Sequence, residues 1–294
     1  MRRRPLTLAT LTAVALGGLL ATTTPAMAAH GGLTVTGLTV NDRLVTFVAN
    51  DPGRLLSEVK VTGVEGDLQS VDFRPATGGL YGISSSSDGA RLYLIDPATG
   101  SASRVGTTVF AIGGNLAMDF NPAVDRIRLV SDDGTNLRLN PNNGALAATD
   151  GDLAYVAGDR NEGATPRIGS VAYTNNQTAA TNGTTLFDID AALGQLAKQD
   201  PPNDGGLQSV GAIPQGTKSQ FTGFDIYQRE AARGGQTWAF VSLFDKGRTT
   251  FYEIDLATGK ARFFAANPAD PASGTVIGGR PHVTDIALKP AQGK

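Results

Sequence analysis

The chain has 294 residues, no cysteine, and a formal charge of −2 from 25 basic and 27 acidic side chains. Without cysteine there are no disulfides, no thiol nucleophile, no covalent c-type haem, no thiolate metal site and no lipidated N-terminal cysteine. Lys and Arg are scattered among carboxylates from Arg54 to Lys294 rather than gathered in a patch, which argues against a phosphate-tracking nucleic-acid surface.

At the start of the chain, Arg2, Arg3 and Arg4 precede an apolar stretch from Leu6 to Leu20 and the small-residue triplet Ala26, Met27, Ala28. A charged start, a short apolar middle and an A-x-A-like site predict an export signal over 1–28 and one mature domain over 29–294. Loss of the three arginines leaves 22 basic against 27 acidic residues, a formal charge of −5. Pro5 directly after the arginines leaves both the general secretory and the twin-arginine routes open. The expected location is extracellular or periplasmic. The apolar stretch is too short to span a bilayer comfortably, and no later segment approaches the roughly 20 apolar residues that a membrane helix requires.

The 37 glycines, roughly twice average usage, sit between short apolar runs and so predict many tight turns. No long segment has a 3.6-residue apolar period, whereas Arg43 to Val48 and Arg91 to Ile95 alternate or run apolar for strand lengths. The expected class is all-β.

A repeat organises these strands. LQSVDFRPATGGLYGIS, with Asp72 and Phe73, recurs as NLAMDFNPAVDRIRLVS, with Asp119 and Phe120. A weaker copy, IGSVAYTNN, carries Tyr173 with Ala172 in the acidic position, and FTGFDIYQ and VTDIALKP follow with Asp225 and Asp285. The hydrophobic position falls at Phe73, Phe120, Tyr173, Ile226 and Ile286, at intervals of 47, 53, 53 and 60. Propeller blades of four strands occupy about 40–50 residues, so the intervals predict a β-propeller of about five blades, with six as the alternative. Phe73 is expected in the inter-blade core.

A second element ends at Gly100 (IDPATG), Gly144 (LNPNNG), Gly194 (IDAALG) and Gly259 (IDLATG). Asp or Asn closes an Asx-turn, Pro or its equivalent continues it, and Gly accepts positive φ. This turn is expected to join the third and fourth strands of each blade. The last repeat copy has almost no chain after it, while LTVTGLTV, RLVTFVAN and SEVKVTG near the start offer three strands without a DF-type partner. The two ends are therefore expected to complete one blade and close the ring, removing free edges.

The motifs DFRPATGGLYGI, DFNPAVDRIRLVS, NLRLNPNNGALAATDG, LAYVAGDRNEG and FDIDAALGQLAKQDPP resemble those of the exported bacterial family known as domain of unknown function four-three-nine-four. The resemblance covers nearly all of the mature chain. It implies bacterial origin, export and a propeller-like repeat, and it assigns no catalytic residue.

Asp72, Asp119, Asp225 and Asp285 share one repeat position, which would place them around the central channel. A ring of acids could bind Ca²⁺, or supply the acid and base of sugar hydrolysis. The same residues could instead accept backbone N–H bonds and lock adjoining blades, since a polar group buried without a partner is costly; this structural role is the favoured one. Arg126 and Arg128 alternate along DRIRLVS and point to one face, where they would bind a carboxylate or sugar acid, or pair with acids such as Asp125. The loops SDDGTN from Ser131, TDGDLAY from Thr149 and AGDRNEG from Ala157 cluster oxygen donors but lack the EF-hand pattern. No cofactor is assigned beyond that possible Ca²⁺. His30 and His282 are the only histidines, which excludes a multi-histidine metal centre. No G-x-S-x-G elbow or phosphate loop is present. Asn176 and Asn182 begin N-x-T sequons, relevant only in a glycosylating host.

Two functions fit this sequence. The first is a secreted, monomeric binding or scaffold module whose loops at one end of the channel contact a ligand or protein. The second is an extracellular hydrolase or lyase acting on carbohydrate or lactone through inner-strand aspartates.

Overall fold

The computed structural model describes residues 32–177, 183–214, 222–229, 235–261, 274–279 and 281–290; residues 1–28, where an export signal is expected, His30 and Asn182 lie outside them. Among these residues there is no α-helix, and hence none long and apolar enough to cross a membrane. The strands form five sheets arranged as the blades of a five-bladed β-propeller.

The first blade begins with β1 (Thr34–Thr39), β2 (Arg43–Val48) and β3 (Asp51–Lys60). The second holds β4 (Asp67–Phe73), β5 (Leu80–Ser86), β6 (Gly89–Ile95) and β7 (Ala102–Arg104), and the third β8 (Leu116–Asn121), β9 (Arg126–Ser131), β10 (Asn136–Asn140) and β11 (Ala145–Thr149). A short β12 (Ala154–Tyr155) crosses to the fourth blade, which holds β13 (Ile168–Tyr173), β14 (Leu186–Asp190), β15 (Gln195–Gln199) and β16 (Gly206–Ala212). The fifth holds β17 (Thr222–Gln228), β18 (Thr237–Asp245), β19 (Arg248–Ile254) and β20 (Thr275–Val276). The final strand, β21 (Val283–Leu288), pairs antiparallel with β1 and gives the first blade the order β21-β1-β2-β3. The ring thus closes by pairing the two ends, as the sequence predicts.

Two expectations need correction. The IDAALG turn joins the second and third strands of the fourth blade, β14 and β15, rather than its third and fourth. The blade reaches its width with β16, and β12 adds a fifth strand parallel to β16. A turn signal marks a hairpin, but its position in the blade depends on how many hairpins precede it, and β13 pairs directly with β14 across an intervening loop.

Strand periodicity of two gives every blade two faces, and each inter-blade seam gathers an apolar cluster. Between second and third blades lie Tyr81, Ile83, Phe120, Ile127, Leu129 and Leu139. Phe73 packs with Leu38, Leu44 and Tyr93 between first and second, as expected. Phe47 and Phe240 both meet Phe251 at the seam that ring closure creates, with ring centroids 5.2 and 5.1 Å apart. Each fully buried aromatic contributes about 1.5–3 kcal/mol.

The turn glycines also touch neighbouring blades. Gly100 has φ 76°, and a Cβ there would sit 2.1 Å from the Lys60 carbonyl of the preceding blade. At Gly144, φ is 64° and a Cβ would come 2.2 Å from the Val105 carbonyl. Only glycine permits both the left-handed backbone and the close approach. The repeated turn is therefore a latch between blades as well as the end of a hairpin.

Candidate functional site

The innermost strands β4, β8, β13, β17 and β21 surround the axis in chain order. Each has one edge without a ladder partner, so its N–H groups need acceptors from elsewhere. The repeated aspartates supply them. Asp72 Oδ2 accepts from the Phe120 N–H of the next blade at 2.9 Å, and Asp119 Oδ1 from the Tyr173 N–H at 2.9 Å. Asp225 Oδ2 accepts from the Leu288 N–H at 2.5 Å. Asp285 Oδ2 accepts from the Val71 N–H at 2.9 Å and the Ser70 hydroxyl at 2.6 Å. The second oxygens of Asp72, Asp225 and Asp285 accept from the N–H of the following residue in their own strand.

The aspartates do not grip equivalent positions. Asp72 and Asp119 bond the residue after the repeat position of the next blade, Asp225 bonds further along its neighbour, and Asp285 bonds earlier. In the fourth blade, where Ala172 replaces the acid, other side chains join β13 to β17. The Ser170 and Thr222 hydroxyls lie 3.2 Å apart, and the Asn176 side-chain oxygen accepts from the Gln228 N–H at 2.8 Å. Asn176, legible in the sequence only as a sequon, is thus a buried inter-blade acceptor.

Asp72, Asp119 and Asp225 converge, each presenting an oxygen within 4.8 Å of the others. All four axial aspartates are at most 7% exposed. Burial pushes Asp72 and Asp285 up to about 7 and raises Asp119 and Asp225 well above the usual carboxylate range, and the like charges of neighbouring aspartates reinforce the shift at Asp72, Asp119 and Asp225. Asp72 and Asp119 hydrogen-bond to each other, which requires a proton between them.

Toward the start of the inner strands the axis opens into a cavity of about 200 Å³. Asp67, Gln69, Asn115 and Thr284 provide its polar wall, with Val40, Leu68, Leu116 and Gly169 beside them, so that four blades contribute. Asn115 is fixed by Asp132, which accepts from its backbone and side-chain amides at 2.9 and 2.8 Å. Asp132 in turn meets Arg167 of the next blade at 2.7 Å. The step from Gln69 to Asp72 along β4 covers about 10 Å at roughly 3.3 Å per residue, so the aspartates lie beneath this mouth.

Arg126 and Arg128 share a face of β9 but have different surroundings. Arg126 donates to the Val124 and Asp125 carbonyls at the rim. Asp125 itself pairs with Arg74 of the preceding blade, so the expected partnership with Arg126 or Arg128 does not form. Arg128 is 2% exposed. Its donors go to Tyr173 Oη, Asn136 Oδ1, Asp150 Oδ2 and Asn203 Oδ1, at 3.3, 2.7, 2.5 and 2.7 Å. Asp150 also receives Arg138 at 2.8 and 2.9 Å. Sequence reading missed Asn136 and Asn203, which nothing in their spacing distinguishes from turn residues, and placed Asp150 only among the oxygen donors of the loop from Thr149.

The oxygen-rich loops use their side chains on protein donors, near in sequence at Asp133 and Glu162 and distant at Asp132, Asp150 and Asp159. Asp133 Oδ1 accepts from Ser131 and Thr135, Asp159 from Ser209, and Glu162 from the Gly158 N–H. His282 stacks on Phe244 with ring centroids 3.5 Å apart.

A crystal structure of a structural genomics protein of unknown function from Bacteroides thetaiotaomicron is similar at 15% identity and TM-score 0.51; 90% of this chain covers 63% of that one. The present chain thus spans less than two thirds of that protein's length. TolB from Acinetobacter baumannii is similar at 13% identity and TM-score 0.45, with 88% of this chain covering 67% of that one. At such identities the first likeness shows the fold alone. No curated protein matches the sequence. The family model described as Domain of unknown function (DUF4394) matches residues 43–274, and the chain belongs to that family.

Proposed function

We propose that the protein is an exported binding module that takes a small, hydroxyl-bearing polar molecule at the axial mouth, with the inner-strand aspartates serving as struts beneath it. The observation that carries this reading is the contrast along the axis. The aspartates are buried and engaged with backbone N–H groups, whereas the mouth above them is open and lined by amide, hydroxyl and carboxylate side chains from three blades. Small-molecule sites combine such a concavity with a few converging polar groups.

The hydrolase or lyase reading draws on the closeness of Asp72, Asp119 and Asp225 and their raised proton affinity. Their burial weighs against it, because acid and base must reach a substrate.

One experiment separates the two. Protein recovered from the export compartment, whose first residue should be Ala29, is screened by thermal shift against neutral mono- and disaccharides and sugar lactones, with turnover followed in the same samples. A midpoint rise with at least one of these probes, lost in Gln69→Ala and without turnover, is expected. Turnover abolished by Asp119→Asn, or no midpoint response across the panel, overturns the proposal.

A further inference from the structure

Three buried oxygens at the seam between the third and fourth blades lack a hydrogen bond. Both carboxylate oxygens of Asp188 and the side-chain oxygen of Gln199 have no donor among the described residues. Asp188 is 0% and Gln199 1% exposed, so bulk water does not reach them. Buried acceptors without donors are rare and call for a specific explanation.

Strand register places the two residues in adjoining rows of one face. Asp188 on β14 lies opposite Ala197 on β15, and Gln199 is two positions further along β15. They are diagonal neighbours on one face, within reach of each other. Leu186 and Tyr173, in the adjoining row of the same face, pack or bond against the third blade. The Gln199 side-chain nitrogen donates to the Pro202 carbonyl at 2.6 Å, which fixes which end of the amide carries the free oxygen. Asp188 and Gln199 do not hydrogen-bond to each other, so one shared carboxyl proton does not satisfy the set.

The axial aspartates make a denser acidic cluster, but their oxygens already accept backbone N–H groups or share a proton. The Asp188 group is different because all three atoms are acceptors and none is engaged. Such a set is completed by a hard cation, which takes carboxylate and amide oxygens as ligands. Charge selects the kind of cation. Arg128 and Arg138 face Asp150, while Asp188 and Asp190 interact electrostatically with each other and Asp188 with Arg128. Burial pushes the Asp188 carboxyl well above the usual carboxylate range, with Arg128 opposing and Asp190 reinforcing the shift, so a bound cation takes the place of the one proton that otherwise neutralises its single negative charge. A monovalent ion neutralises it, whereas a divalent ion leaves a buried positive excess, which is costly.

We propose that the seam between the third and fourth blades holds a monovalent cation of the sodium class, liganded by both oxygens of Asp188 and by Gln199 Oε1. The site is distinct from the axial mouth and independent of its ligand. Its function is structural: the ion completes a polar seam that elsewhere relies on Arg128.

The test is thermal unfolding of the whole mature protein in sodium chloride and in choline chloride, at equal ionic strength and neutral pH. The midpoint is expected to rise with sodium by about 5 °C at saturation, and the dependence to vanish in Asp188→Asn. Gln199→Met, which keeps the acid, is expected to shift the response to higher sodium and serves if Asp188→Asn fails to fold. Equal wild-type midpoints in the two salts, a sodium response that survives both variants, or a response to calcium but not sodium would each overturn the proposal.

Discussion

The two faces of the third blade solve the same packing problem by opposite means. Toward the second blade, β9 and β10 present Ile127, Leu129, Leu137 and Leu139, which join Tyr81 and Phe120 in an apolar seam. Toward the fourth, the same strands add to the apolar cluster of Ala117, Val130, Val171 and Leu186 a buried polar network in which Arg128, Asn136 and Arg138 are tied to Asp150, Asn203 and Tyr173. An apolar seam is non-directional and tolerates small losses of volume. A buried polar seam is stable only while every member keeps its partner.

The largest expected effect tests that asymmetry. Arg128→Met removes the guanidinium that Asp150, Asn136 and Asn203 share, and should destabilise by about 3–5 kcal/mol in chemical denaturation, as when one partner of a buried ion pair is lost. Adding Asp150→Leu should recover a substantial part of that loss; strictly additive costs would show that the seam is not a coupled network.

A second comparison sets the axis against the apolar seam through pH. The axial carboxyls hold protons in the folded state up to about pH 7 for Asp72 and Asp285, but release them near 3.8 when unfolded. Between those values the folded protein binds more protons than the unfolded chain, so stability falls as pH rises through this window, and the loss is complete above it. Denaturation midpoints measured from pH 4 to 8 should decline, and Asp119→Asn should make the decline shallower. A flat profile would mean that the axial acids are ionised throughout.

The smallest expected effect lies on the apolar side. Ile127→Val, next to Arg128 in sequence but on the opposite face, should cost about 0.5–1.5 kcal/mol with no change in the pH profile. A cost as large as that of Arg128→Met would mean that the apolar seam is as intolerant of small changes as the polar one.

How much of this is legible in the sequence follows from the range of the interactions. The repeat of Asp72, Asp119, Asp225 and Asp285, the closing role of VTDIALKP and the placement of Phe73 rest on period and spacing, and they carry over to the fold. The choice of partner does not. Asp125 is adjacent to Arg126 but pairs with Arg74, 51 positions away, because the seam brings β4 and β8 side by side. Asp188 just precedes the IDAALG turn motif and is not singled out in the sequence, and only strand register reveals that it shares a face with Gln199 and lies near Arg128 without a donor. Gly100 and Gly144 read as turn residues, yet half of their constraint is the carbonyl of the neighbouring blade.

The pairing of β1 with β21 has a consequence in time. The Thr284 hydroxyl reaches the Leu38 carbonyl across 246 positions of chain. The second to fifth blades are built from neighbouring segments and can begin as soon as those segments emerge, but the first keeps an open edge on β1 until β21 has been made. Loop-closure entropy for such a span grows slowly with length, so the delay comes from the order of synthesis and from the slow search that non-local pairing imposes. During that interval the strand edge of β1 is available to any other chain, and what shields it decides whether this ring closes on itself.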